Sequence, residues 1–182
     1  MFKNRIQNPI IRGIAEWLLA IAVAALLFVV VRSFLFRVAH VTGSSMEPTL
    51  SHGDMVVLNR LSYIFTSPRV GDIVAFPFPE DPSEFYIKRI IAVPGDIVDL
   101  QNGIFYVNGQ AIDDVFSQEP TFSLGDIHFP ITVEDGMFFV LGDNRNGSMD
   151  SRFSSVGNVP AHDMVGRVAV RIYPFNRLGR VD

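Results

Sequence analysis

Residues 85–109 read Phe-Tyr-Ile-Lys-Arg-Ile-Ile-Ala-Val-Pro-Gly-Asp-Ile-Val-Asp-Leu-Gln-Asn-Gly-Ile-Phe-Tyr-Val-Asn-Gly. A run rich in β-branched and aromatic residues, Phe85–Val93, is stopped by Pro94-Gly95. Two shorter runs follow, Ile97–Leu100 and Ile104–Val107. Asn102-Gly103 separates them and Asn108-Gly109 ends the second; Asn-Gly favours the positive φ angles of tight hairpin turns. This stretch therefore reads as strand, turn, strand, turn, strand. The same pattern extends in both directions, through Asp54–Leu58, Asp72–Phe76, Met137–Leu141 and Val165–Ile172. No amphipathic helix of three turns appears after residue 37. Residues 37–182 thus form a mainly β, antiparallel domain of about 145 residues, long enough to bury its own core. Asp113–Glu134 is the least regular segment and is expected to form a small cap or excursion. There is no internal repeat and no low-complexity tract.

The other end of the chain has a different character. Arg12 and Arg32 enclose 19 residues, Gly13 to Val31, interrupted only by Glu16. As a helix they would span about 28 Å, close to the hydrocarbon thickness of a bilayer. The segment is apolar on every face, which argues against a half-buried helix of a soluble domain. A cleavable leader is the alternative, but Arg32-Ser33-Phe34-Leu35-Phe36-Arg37 offers no small-x-small cleavage site. The sequence reads as a tail (1–12), a transmembrane anchor (13–36) and an extracytoplasmic domain (37–182). Lys3, Arg5, Arg12 and the amino terminus outweigh Arg32 and Arg37, so the tail is expected to be cytoplasmic.

Charge and composition narrow the chemistry. The chain is 48% apolar and 19% charged, with a mean hydropathy of +0.28, too apolar for disorder. Residues 37–182 hold 11 basic and 18 acidic groups, a poor surface for nucleic acid. The chain has no Cys, which excludes disulfides, thiolate metal sites and cysteine nucleophiles. No metal or cofactor is called for.

Three segments carry candidate chemistry: Val41-Thr-Gly-Ser-Ser-Met-Glu-Pro-Thr-Leu50, Tyr86-Ile-Lys-Arg-Ile-Ile-Ala-Val-Pro-Gly-Asp96 and Gly142-Asp-Asn-Arg-Asn-Gly-Ser-Met-Asp-Ser-Arg152. Singly they have ordinary readings, as a turn, a strand ending in a turn, and an Asx-rich loop. Ser45 lies among small residues that would let a peptide approach the backbone, but a serine hydroxyl needs a base. None of the four histidines (His40, His52, His128, His162) sits in a recognisable triad context. Lys88 is the only lysine after residue 3, and Arg cannot serve as a base at neutral pH. A lysine base needs its pKa lowered from about 10.4 towards neutrality, about 4 kcal/mol. Tyr86, Ile87, Ile90 and Ile91 are apolar neighbours able to desolvate it. Strand alternation sends Arg89 to the opposite face.

Together, in this order behind an N-terminal apolar segment, the three segments resemble bacterial type I signal peptidases over roughly residues 14–172. The resemblance implies the antiparallel signal-peptidase/LexA-like β fold and cleavage of signal peptides from exported preproteins at a bacterial cell membrane. It assigns Ser45 as nucleophile and Lys88 as general base, with Ser148 orienting the lysine amine. Asp143, Arg145, Asp150 and Arg152 would hold their loop through ion pairs. Val41, Met46, Leu50, Tyr86 and Ile87 would line subsites for small residues before the cut, although a core role suits each equally well. Some family members carry a serine where Gly43 stands, so here the Ser45 N–H is the one identifiable oxyanion donor. A self-cleaving Ser/Lys regulator shares the β fold, but the apolar segment and the lack of a helix-turn-helix region disfavour it. A non-catalytic tethered β domain is disfavoured by the intact Ser/Lys pair.

Overall fold

The computed structural model describes residues 9–112 and 121–181. The chain divides into two compact units, residues 1–36 and residues 37–182. In the first, helix α1 (Pro9–Leu35) includes a 20-residue stretch, Ile10–Val29, long and apolar enough to cross a bilayer. Its large side chains, Trp17, Leu18, Leu26 and Phe28 among them, are exposed, unlike those of a helix packed into a soluble core.

The second unit is built from antiparallel sheets. The larger contains β1 (Phe36–His40), β2 (Met55–Asn59), β3 (Ile73–Pro77) and β4 (Phe85–Ala92), with the one-turn helix α2 (Ser62–Phe65) between β2 and β3. The chain then forms β5 (Ile97–Gln101), β6 (Ile104–Val107), β7 (Gln110–Ala111) and β8 (Ile131–Thr132) of the smaller sheet, in the order β7-β6-β5-β8. It returns to the larger sheet through β9 (Met137–Leu141), β10 (Val159–Pro160), β11 (Gly166–Tyr173) and β12 (Gly179–Arg180). The large sheet runs β1-β2-β11-β3-β4-β9-β10, with β12 also on β11. Asn102 and Asn108, each followed by Gly, adopt φ of 51°, as the turn chemistry requires.

All seven strands expected from the sequence form, with no end shifted by more than one residue. The segment Phe36–His40, expected to end the anchor and begin the domain, is itself a strand. Its exposed edge position leaves no alternating pattern to read. Of the irregular segment 113–134, residues 113–120 lie outside the described residues; the rest carries no helix, and only β8 as strand.

Three apolar clusters form the core, and β4 contributes to all of them. Ile87 packs on the cluster containing Leu50 and Val56, Ile90 belongs to the one with Phe76 and Phe138, and Ile91 and Ala92 join Phe105 and Phe139. A strand gripped this way holds its side chains in fixed rotamers. Lys88 projects from its middle, opposite Val74 of β3.

Candidate active site

The turn after β1 is tied down on both sides. Val41 donates its N–H to Asp54 O at 2.8 Å, and Leu50 donates to Met46 O at 2.8 Å. Gly43 has φ of +87°, which a side chain would oppose, and its N–H donates to His52 Nδ1 at 3.2 Å. Val41, Met46 and Leu50 point into the core and are at most 6% exposed. This leaves Ser45 half-buried at the turn.

Lys88 reaches the same point from β4. Its side chain is almost wholly buried, and Nζ lies 2.8 Å from Ser45 Oγ. Burial, the largest influence, lowers the ammonium pKa from 10.5 to about 8. The charges of Asp150 and Asp143 oppose this, and that of Arg152 assists it. The Tyr86 ring centroid is 5.1 Å from Nζ and forms part of the apolar surroundings. All four histidines are exposed.

Residues 142–152 close the third side. Asn144 donates its N–H to Ser45 O at 3.0 Å and its side-chain amide to Ser44 O at 3.2 Å, fastening the loop to the serine turn. Arg152 forms a two-bonded pair with Asp150, at 2.7 and 2.8 Å, and also donates to Arg145 O at 2.7 Å and Ser148 O at 3.1 Å. Asp150 accepts the Gly142 N–H, and Arg145 donates to Gly142 O. These groups are buried; the charges of Asp150 and Arg152 offset each other, while Arg145 is held on the Gly142 carbonyl and over the Phe105 ring.

Asp143 forms an ion pair, as expected, but finds its partner outside the loop. Its carboxylate leaves the loop and pairs with Arg89 of β4, through bonds of 2.9 and 2.8 Å, while accepting the Thr49 hydroxyl at 2.6 Å. Arg89 was not among the expected site residues. It faces away from Lys88, as alternation requires, yet links β4 to the loop and the serine turn. The readable signal was an Arg inside a buried apolar run, which demands a carboxylate partner.

Ser148 also departs from expectation. It is 7% exposed, but its Oγ makes no hydrogen bond, so the expected bond to the Lys88 amine is not formed. The hydroxyl lies beside Gly142, where an added Cβ would overlap both Ser148 Oγ and Ser45 O.

A groove of about 500 Å³ runs between β1 and the start of β4, with Leu58, Ala75 and Ile87 among its lining residues. Of the five expected subsite residues, Tyr86 and Ile87 line it. Val41, Met46 and Leu50 instead belong to the first core cluster, because the turn folds them inward. Among the described residues no cluster of His, Asp and Glu could hold a metal ion.

Comparison with known proteins places these features in a family. The family described as signal peptidase, peptidase S26, matches residues 14–173. A Synechocystis protein named probable signal peptidase I-1 is 37% identical over 87% of this chain and 82% of its own length. A signal peptidase I of Leptolyngbya laminosa is 36% identical over 96% of this chain and 85% of its own. A crystal structure of a signal peptidase I from Enterococcus faecalis is 30% identical, with a TM-score of 0.48, covering 57% of this chain and 98% of that one. The match takes in nearly the whole length, the apolar helix and all three site segments, and the chain belongs to the signal peptidase family of serine endopeptidases, peptidase S26.

Proposed function

We propose that this chain is a membrane-anchored signal peptidase I in which Ser45 attacks the scissile carbonyl and Lys88 is the general base. The observation that carries the reading is the 2.8 Å approach of a buried amine to a half-exposed hydroxyl. Desolvation leaves about a tenth of the amine neutral at pH 7, against about one part in three thousand for an unperturbed lysine. The neutral amine takes the Ser45 proton as Oγ bonds to the carbonyl carbon. The resulting ammonium then returns that proton to the leaving amine as the peptide C–N bond breaks. Water, deprotonated by the same amine, cleaves the acyl ester and restores Ser45. The Ser45 N–H is assigned the oxyanion role, because the Gly43 N–H is already committed to His52.

The groove suits an extended peptide. Among the described residues β9 pairs with β4 over Arg89–Ala92 and not over Phe85–Ile87, an arrangement that suits addition of a peptide strand there. Ala39, Ala75 and Ile87 make shallow walls, consistent with small residues one and three positions before the cut. The substrates are exported preproteins. α1 is the single-pass anchor, with residues 37–182 outside the cytoplasm; holding enzyme and substrate in one bilayer raises their effective concentration. Ser148, close to the dyad, is assigned to orient the amine during turnover.

The test is incubation of the detergent-solubilised full chain with a preprotein, followed by sequencing of the new N-terminus. Cleavage after a small-x-small site, absent in Ser45→Ala, is the expected result. A cut elsewhere, or one that survives Ser45→Ala, would overturn the proposal.

A further inference from the structure

The turn that carries Ser45 is also held by a guanidinium that lies outside the three site segments. Arg171 sits on β11, and the register of that strand decides where its side chain goes. Val168 opposes Leu58 of β2, yet Val170 opposes Val57 and Arg171 opposes Val56, so an extra residue of β11 bulges between Val168 and Val170. Opposed residues of an antiparallel pair share a face, and Val56 and Leu58 both belong to the core cluster that contains Met46 and Leu50. Plain alternation from Val168 would send residue 171 to the other face. The bulge turns it towards the serine turn instead.

Arg171 Nη1 donates to Asp54 Oδ2 at 3.0 Å and to Thr49 O at 2.9 Å, while Nε donates to Arg177 O at 2.7 Å. The ion pair is shielded, with the Asp54 side chain 3% exposed and that of Arg171 13%. Asp54 Oδ2 also accepts the Ser51 N–H at 3.0 Å, which ties the end of the turn to the same carboxylate. Thr49 is therefore gripped twice, its carbonyl by Arg171 and its hydroxyl by Asp143. Two buried ion pairs, Arg171–Asp54 and Arg89–Asp143, meet at this one residue. The Thr49–Leu50 peptide is a rigid plane, and its N–H donates to the carbonyl of Met46, the residue that follows Ser45. Fixing the oxygen of that plane fixes the turn.

We propose that Arg171 is a positioning residue for peptide cleavage, fixing through the Thr49–Leu50 peptide the turn that presents the Ser45 hydroxyl to Lys88. The inference rests on the reading of Ser45 as nucleophile. Arg171 is not among the residues that line the groove, so its loss should slow the chemical step and leave substrate binding intact.

The test compares Arg171→Met, the double variant Arg171→Met with Asp54→Asn, and Arg167→Met, each as the full chain in detergent. Asp54→Asn removes the carboxylate charge that would otherwise be stranded, while keeping an oxygen for the Ser51 N–H. Arg167 sits on the same strand but pairs with Asp72. Preprotein cleavage is followed per active site, counted with a labelled serine-directed acylating probe, so that unfolded molecules do not enter the rate. In both Arg171 variants kcat should fall about tenfold or more, with KM within about twofold of wild type and Arg167→Met unchanged. A merely structural role would lower the number of sites and the melting temperature but leave kcat per site intact, and that result overturns the proposal. So does a loss carried by KM, an equal loss in Arg167→Met, or a cooperative melt missing from both Arg171 variants. A Ser45→Ala control that still cleaves overturns the nucleophile reading and this proposal with it. An inactive control beside wild-type kcat in the Arg171 variants overturns the positioning role alone.

Discussion

Lys88 Nζ lies 2.8 Å from Ser45 Oγ although 43 residues separate the two in the chain. The contact exists because β4, clamped among three core clusters, and a turn nailed down by Met46 and Leu50 each have little freedom. The contact's geometry is inherited from packing, which is how two side chains from distant segments are held at hydrogen-bond distance.

Removing either member should therefore end turnover without unfolding the protein. Ser45→Ala and Lys88→Ala are each expected to lower kcat/KM by at least about a thousandfold. Lys88→Arg should be equally inactive, because a guanidinium stays protonated. Cleavage rates beside a thermal melt check this.

The Arg89–Asp143 pair should behave as a structural clamp. Arg89→Met leaves the Asp143 carboxylate buried without its cation, and breaking such a pair costs about 3–5 kcal/mol. The expected result is a clear fall in melting temperature, with lost activity following from a displaced loop. An unchanged melt would show that the pair bears little of the fold's stability.

Gly142→Ala should damage the site by steric wedging. Its Cβ would overlap Ser148 Oγ and Ser45 O, and overpacking of this kind costs about 1–3 kcal/mol. Because Ser45 is one of the displaced partners, kcat should fall more than stability does. Single-turnover rates and a melt on the same sample separate the two effects.

Ser148→Ala tests a different kind of contribution. Its buried hydroxyl has no partner, so deleting it should leave stability unchanged or raise it by up to about 1 kcal/mol. If the hydroxyl orients the amine during turnover, kcat falls while KM barely moves. A variant with wild-type kcat would remove Ser148 from the mechanism.

These residues also show how far the sequence can be read. Runs such as Asp72–Phe76 and Met137–Leu141 declare themselves as strands because short apolar stretches between turn residues are a local signal. Phe36–His40 does not, because an exposed edge strand continuous with a helix has neither periodicity nor a breaker to mark it. Ser45 and Lys88 were legible through their motif contexts. The pairing of Asp143 with Arg89 was not, since it joins residues 54 positions apart and nothing local to either specifies it. The inward rotation of Val41, Met46 and Leu50 was equally hidden: an apolar residue in a turn can line a pocket or fill a core, and only the packing decides.

The pH dependence of cleavage separates a lysine base from a histidine base. Burial lowers the Lys88 pKa to about 8, so the active, neutral amine grows as pH rises through that value. The same shift makes protonation costly to the fold below about pH 8, a penalty that fades as pH rises towards 10.5, where the unfolded chain also loses the proton. The measurement is kcat/KM against pH for the wild type and for His→Gln at positions 40, 52, 128 and 162. A lysine base gives a rising limb centred near pH 8, unmoved in all four variants and absent with the lost activity of Lys88→Ala. A limb that disappears in one histidine variant but persists in Lys88→Ala would contradict it, and would assign the base to that histidine.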